Sequence, residues 1–139
     1  VAASRMTRQK ALVLEIVQGT TVHPTADWVY QEARRSIPDI SLGTVYRNLN
    51  ALAAQGMIRE MNYAGDCSRY DGNMADHYHF VCVHCHQVYD LFEVPLLTVD
   101  QQVFVTSGHE VYGHRVEFCG KCAQCSASEK QEVASCVEN

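Results

Sequence analysis

Cys82-Val83-His84-Cys85 and Cys122-Ala123-Gln124-Cys125 form two C-x2-C pairs with 36 residues between them. Each pair offers two thiolates to one ion, and four thiolates make a tetrahedral set suited to zinc. A structural zinc at Cys82, Cys85, Cys122 and Cys125 requires a fold that brings these two distant segments together. Spacing alone leaves the second pair open, because Cys119-Gly120-Lys121-Cys122 is also C-x2-C.

A second cluster lies just upstream, in Asp71, His77 and His79. Residues 77–82 alternate like a β-strand, so His77 and His79 share a face and Cys82 takes the other. After the Cys82–Cys85 turn, Gln87-Val88-Tyr89-Asp90-Leu91 runs back. A hairpin closed there sets Asp90 opposite His77, in reach of the same ion. A closed thiolate site and an open His/carboxylate site are therefore expected on opposite faces of one hairpin.

The 139 residues suit one domain or two small ones. No apolar run reaches about 18 residues, so no membrane-spanning helix is expected, and no signal peptide is visible. Val1 in place of an initiator Met points to a processed or truncated start. Seven cysteines, an odd number in paired spacing, favour thiolate ligands in a reducing cytoplasm over disulfides. The net charge of −5 argues against nucleic acid until its distribution is read. Residues 1–59 carry seven Lys/Arg and four Asp/Glu, whereas residues 60–139 carry four and twelve. A basic module joined to an acidic, His/Cys-rich one suggests different partners for each.

Apolar spacing predicts a helix from Thr7 to Val17. A second starts around His23-Pro24-Thr25-Ala26-Asp27 and runs through Trp28, Val29, Ala33 and Ile37 to Pro38. Ser41 caps a third, with Leu42, Val45, Leu49 and Leu52 inward and Gly56 at its end. Met57–Tyr63 and Cys67–Asp71 alternate as strands around an Ala64-Gly65-Asp66 turn. Three helices and a hairpin make a winged helix-turn-helix. The third helix leaves Thr44, Tyr46, Arg47 and Asn48 outward, residue types that read base edges and phosphates. Beyond residue 72 the pattern predicts a helix over Pro95–Thr106 ended by Gly108. A strand over His109–Phe118 and a short polar helix over Ser126–Cys136 follow.

These features together resemble the ferric uptake regulator superfamily of metal-dependent repressors. The resemblance runs from Thr7 to Cys125. It rests on His23-Pro-Thr-Ala-Asp27, Gly43-Thr-Val-Tyr-Arg47, Ser68-Arg-Tyr-Asp71, Asp76-His-Tyr-His79 and the two C-x2-C pairs. It implies an α+β protein, with a winged-helix DNA-binding domain over 1–71 and an α/β dimerisation domain over 72–139. The chain looks most like the peroxide-stress regulators, which carry Ser-Arg-aromatic-Asp where iron sensors commonly place Glu. Metal-sensing relatives also often read His-His-Asp-His at Asp76–His79, and Tyr78 cannot replace that aspartate as a hard ligand.

Matching positions imply a regulatory set of His23, Asp71, His77, His79 and Asp90, and a structural zinc set of Cys82, Cys85, Cys122 and Cys125. Cys119 is then expected as a partly buried thiol, and Cys67 and Cys136 have no assigned partner. Imidazoles with carboxylates suit Fe(II) or Mn(II), while four thiolates suit Zn(II). The resemblance implies a dimeric cytoplasmic repressor on a pseudo-palindromic DNA operator. It further implies sensing of hydrogen peroxide through oxidation of a ligand histidine, with His23 and His77 the matching positions. An iron- or manganese-uptake repressor is the nearest alternative. A zinc hydrolase built on His77 and His79 is disfavoured, because no separate base or oxyanion site is apparent.

Overall fold

Thr and Ser side chains start all three N-terminal helices by the same device. In α1 (Arg8–Gln18), Thr7 accepts from the Lys10 N–H; in α2 (Ala26–Ser36), Thr25 accepts from Trp28. In α3 (Leu42–Ala54), Ser41 accepts from Thr44. Each cap satisfies an amide that the helix geometry leaves without an internal partner. The computed structural model describes residues 5–62 and 67–128. The chain divides at Ala75–Asp76 into two units.

In the first unit, α1–α3 pack around Val13, Val17, Val29, Ala33, Val45, Leu49, Leu52 and Ile58, closed by Tyr70. The antiparallel strands β1 (Arg59–Met61) and β2 (Arg69–Asp71) follow, with Glu60 opposite Tyr70. This is the expected winged helix-turn-helix; its Ala64–Asp66 turn lies outside the described residues. Gly72 allows the close packing next to β2. A Cβ there would stand 2.7 Å from the Gln18 Cα and 2.8 Å from the Val17 carbonyl oxygen.

The second unit is a three-stranded sheet of order β4-β3-β5. Strand β3 (Tyr78–Cys82) pairs antiparallel with β4 (Val88–Leu91) and parallel with β5 (Glu117–Gly120). The helix α4 (Val99–Ser107) ends on Gly108 in the left-handed conformation, φ 72°. It begins later than Pro95. The strand expected over His109–Phe118 is confined to its end: β5 starts at Glu117, paired with His79, and in this parallel register residues before Val116 would fall before the start of β3. A short α5 (Ala123–Ala127) is N-capped by Cys122, so a helix begins inside the second cysteine pair rather than at Ser126. Residues 129–139 lie outside the described part of that expectation.

Candidate metal centre

The four cysteines converge although they come from two segments. Strand β3 delivers Cys82 and the following turn Cys85; the segment after β5 delivers Cys122 and Cys125. The Cys82–Cys125 and Cys85–Cys122 sulfurs are each 3.8 Å apart, and all four lie within 4.8 Å of one another. Sulfurs placed 2.3 Å from one ion at tetrahedral corners stand about 3.8 Å apart, so the cage has the dimensions zinc needs.

The electrostatics of the cage point the same way. Burial opposes ionisation of Cys82, but backbone N–H groups of Cys85, Cys122 and His84 outweigh it and lower its pKa to about 6. The Cys122 thiol is also pulled down, by the Cys125 N–H and then by the Tyr89 hydroxyl. Hydrogen bonding to Cys122 and then burial push Cys125 up to about 12, and burial raises Cys85. Four sulfurs this close cannot all be anionic without a cation between them. Cys119, half-buried as expected, is disulfide-bonded and not a thiol. Cys67 is exposed and is not in a disulfide.

The His/carboxylate residues form a cluster within each unit. In the first, buried His23 and Asp71 approach to 3.9 Å between Nε2 and Oδ2. The other oxygen of Asp71 accepts from the Asn73 N–H at 2.8 Å, which fixes the carboxylate plane. His23 has φ 50°, a left-handed conformation that costs a non-glycine residue roughly 1–2 kcal/mol.

In the second unit, Asp90 lies opposite His79 and not opposite His77, a correction of two residues in register. Its Oδ1 nevertheless reaches both imidazoles, 2.8 Å from His77 Nε2 and 3.2 Å from His79 Nε2. Donors about 2.1 Å from one octahedral ion stand about 3 Å apart, so this triad suits a hard divalent ion. Cys82 belongs to the other face, as the alternation predicts. The ring of Phe92 stacks 4.4 Å from that of His77 and closes one side of the triad.

On α3, Tyr46 and Arg47 are exposed, and Thr44 and Asn48 are half-buried. Arg47 is folded back along its own helix, donating from Nη2 to Thr44 Oγ1 at 2.9 Å; that hydroxyl also lies 2.9 Å from Ser41 Oγ. Asn73, Tyr89 and Phe92 were missed by sequence reasoning. None sits in a ligand motif, and their contacts depend on turn and sheet geometry.

A winged helix-turn-helix followed by a cysteine-caged α/β unit defines a class of DNA-binding regulators with metal centres. The chain belongs to the ferric uptake regulator family, whose model matches residues 2–119. It is 35% identical over 125 residues to the peroxide operon regulator of Bacillus subtilis, covering 90% of this chain and 86% of that protein. It is 33% identical to the Campylobacter jejuni peroxide stress regulator, with a TM-score of 0.72, 84% of this chain and 88% of that one being covered. The Helicobacter pylori ferric uptake regulator shares the fold at 20% identity and TM-score 0.77, over 91% of this chain and 85% of that one. These relatives are named as regulators or repressors. Among the described residues no helix is long and apolar enough to cross a membrane.

Proposed function

We propose that this protein is a cytoplasmic, homodimeric repressor that binds a pseudo-palindromic operator when a regulatory metal is present and releases it on exposure to hydrogen peroxide. The observation that carries this reading is the placing of imidazole Nε2 atoms against carboxylates in both units. One Fe(II) or Mn(II) takes His23 and Asp71 from the DNA-binding unit and His77, His79 and Asp90 from the other. An ion with ligands in both units biases their relative orientation, which is how occupancy reaches DNA. The likeness to the B. subtilis and C. jejuni peroxide regulators supports the choice of signal.

Zn(II) in the cysteine cage holds the second unit together. Among the described residues, that unit's buried apolar and cysteine side chains are Tyr78, Cys82, Val88 and Cys122, a small core that a metal cross-link supplements. Its helix α4 buries no side chain and exposes Val103, Phe104 and Val105. A second copy of the chain is the partner proposed for that surface. Thr44, Tyr46, Arg47 and Asn48 carry the DNA contacts.

Fe(II) held by these residues would supply reductive cleavage of the peroxide O–O bond beside its own ligands; in the net two-electron step one peroxide oxygen would pass to a ligand imidazole and the other would leave as water. His23 and His77 are the residues proposed to receive the oxygen. An oxidised imidazole is a poorer ligand, so metal is lost and the units are freed. Matched Fe(II) and Mn(II) samples, given limiting peroxide, test this with peptide mass spectrometry and binding to a DNA fragment selected by the Mn(II) form. Oxygen on His23 or His77 in the iron sample alone, with loss of DNA binding, is expected. Equal survival of both forms identifies a metal-uptake repressor, and loss through cysteine oxidation with intact histidines identifies a thiol sensor.

A further inference from the structure

His23 is held in an unfavourable backbone state by its neighbours in β2. It has φ 50° and precedes Pro24, a position where the proline ring also restricts the backbone. Three contacts pin this segment. The Tyr70 N–H donates to the Pro24 carbonyl at 3.0 Å, and Thr25 forms an isolated bridge with Arg69. The third comes from a side chain: Arg69 Nη1 donates to the His23 carbonyl oxygen at 3.1 Å.

The placement of Arg69 follows from strand periodicity. Arg69 and Asp71 are two apart on β2 and share a face, while Tyr70 between them enters the core. One face of one strand thus offers a guanidinium to the backbone of His23 and a carboxylate to its imidazole. If the carbonyl of residue 23 swings away, the backbone torsions change and the imidazole leaves its line toward Asp71.

We propose that Arg69 is a positioning residue for His23, setting the imidazole direction and with it the affinity of the regulatory site and the share of peroxide damage that His23 takes. The inference rests on the reading of His23 as a ligand. Arg69 does not touch the ion. It acts through the backbone, as groups behind a first ligand commonly do, where their loss lowers metal affinity about 10- to 100-fold.

The test compares wild type, Arg69→Ala, Arg69→Lys and His23→Ala as zinc-replete full chains. Mn(II) affinity is titrated by electron paramagnetic resonance, and zinc content and melting temperature are recorded alongside. Fe(II)-loaded samples then receive limiting peroxide, and the ratio of oxygen added at His23 to that at His77 is measured. Arg69→Ala is expected to weaken Mn(II) binding about tenfold and to lower the His23:His77 ratio, with zinc retained. Arg69→Lys, which keeps a donor, is expected to restore most of both. If His23→Ala loses affinity but Arg69→Ala keeps affinity and ratio within about twofold of wild type, the positioning role is overturned. A lowered melting temperature with an unchanged ratio also overturns it, because a merely structural residue behaves so. Unchanged affinity in His23→Ala overturns the ligand reading, and the proposal with it.

Discussion

Asp90 stands directly opposite His79 across the β3–β4 ladder, and one of its oxygens serves both His79 and His77, at 3.2 and 2.8 Å. Removing it leaves two adjacent imidazoles without their shared anion. Asp90→Ala is expected to raise the Mn(II) concentration needed for DNA binding by about tenfold or more. Asp90→Asn is expected to do nearly the same, since charge is lost while shape is kept. A metal titration followed by DNA-binding anisotropy checks both, and an unmoved midpoint removes Asp90 from the site.

Cys82 is central to the sulfur cage, and its thiolate is stabilised by three backbone amides. Cys82→Ser should lose zinc and the ordered second unit, whereas the first unit, whose core contains no cysteine, stays helical. The folded pKa of Cys82 is depressed from 9.0 to about 6. Its stabilising contribution is therefore present above about pH 9 and lost as pH falls through about 6. Zinc ligands must stay deprotonated, so zinc release to a chromogenic chelator should accelerate as the solution is acidified. Zinc-free Cys82→Ser with a wild-type melting profile contradicts the structural role.

Arg47 lies exposed near the start of α3 with one guanidinium nitrogen tied to Thr44. Arg47→Ala is expected to weaken DNA binding by about 1–3 kcal/mol. Zinc content and Mn(II) affinity should not change, because its guanidinium is bonded to Thr44 on its own helix. Gel-shift titration at fixed salt measures the loss; full affinity moves the reading surface elsewhere.

Gly72 faces the end of α1 at a distance no Cβ tolerates, 2.7 Å from Gln18 Cα. Its obstacles are backbone atoms, so they cannot rotate aside. Gly72→Ala should lose roughly 1–3 kcal/mol in denaturant unfolding. It should also weaken Mn(II) binding, since the displaced strand end carries Asp71. Unaltered stability means the strand end shifts freely.

Tyr70 is 1% exposed, and burial, followed by the nearby Glu60, raises its pKa from 10.0 to about 12. The folded state prefers the neutral phenol. Stability is therefore unaffected below about pH 10 and falls as pH rises to about 12, by roughly 3 kcal/mol at most. Tyr70→Phe should flatten this alkaline loss. An identical slope in wild type and variant assigns the loss to other groups.

Much of this arrangement is written locally. Ser and Thr caps, apolar helical stripes and strand alternation define α1–α3 and β2, and they place His77 and His79 on one face with Cys82 on the other. Such features depend on neighbours within a few residues, so periodicity and capping chemistry suffice to find them. The limits of local reading appear at Asp90, whose partner is set by the residues that the turn consumes; a two-residue change in register keeps the same face and is invisible to alternation. They appear again at His109–Arg115, where strand-like alternation has no β3 residue in register to pair with, and at Cys119, whose bonding spacing alone left open. The left-handed turn at His23 and the Arg69 guanidinium that holds its carbonyl join residues 46 apart in sequence. The sequence by itself determined which donor atoms this protein has and which face of each element carries them. Only the tertiary structure decided which donors meet, because the distance between remote segments is set by packing and strand register rather than by local preference.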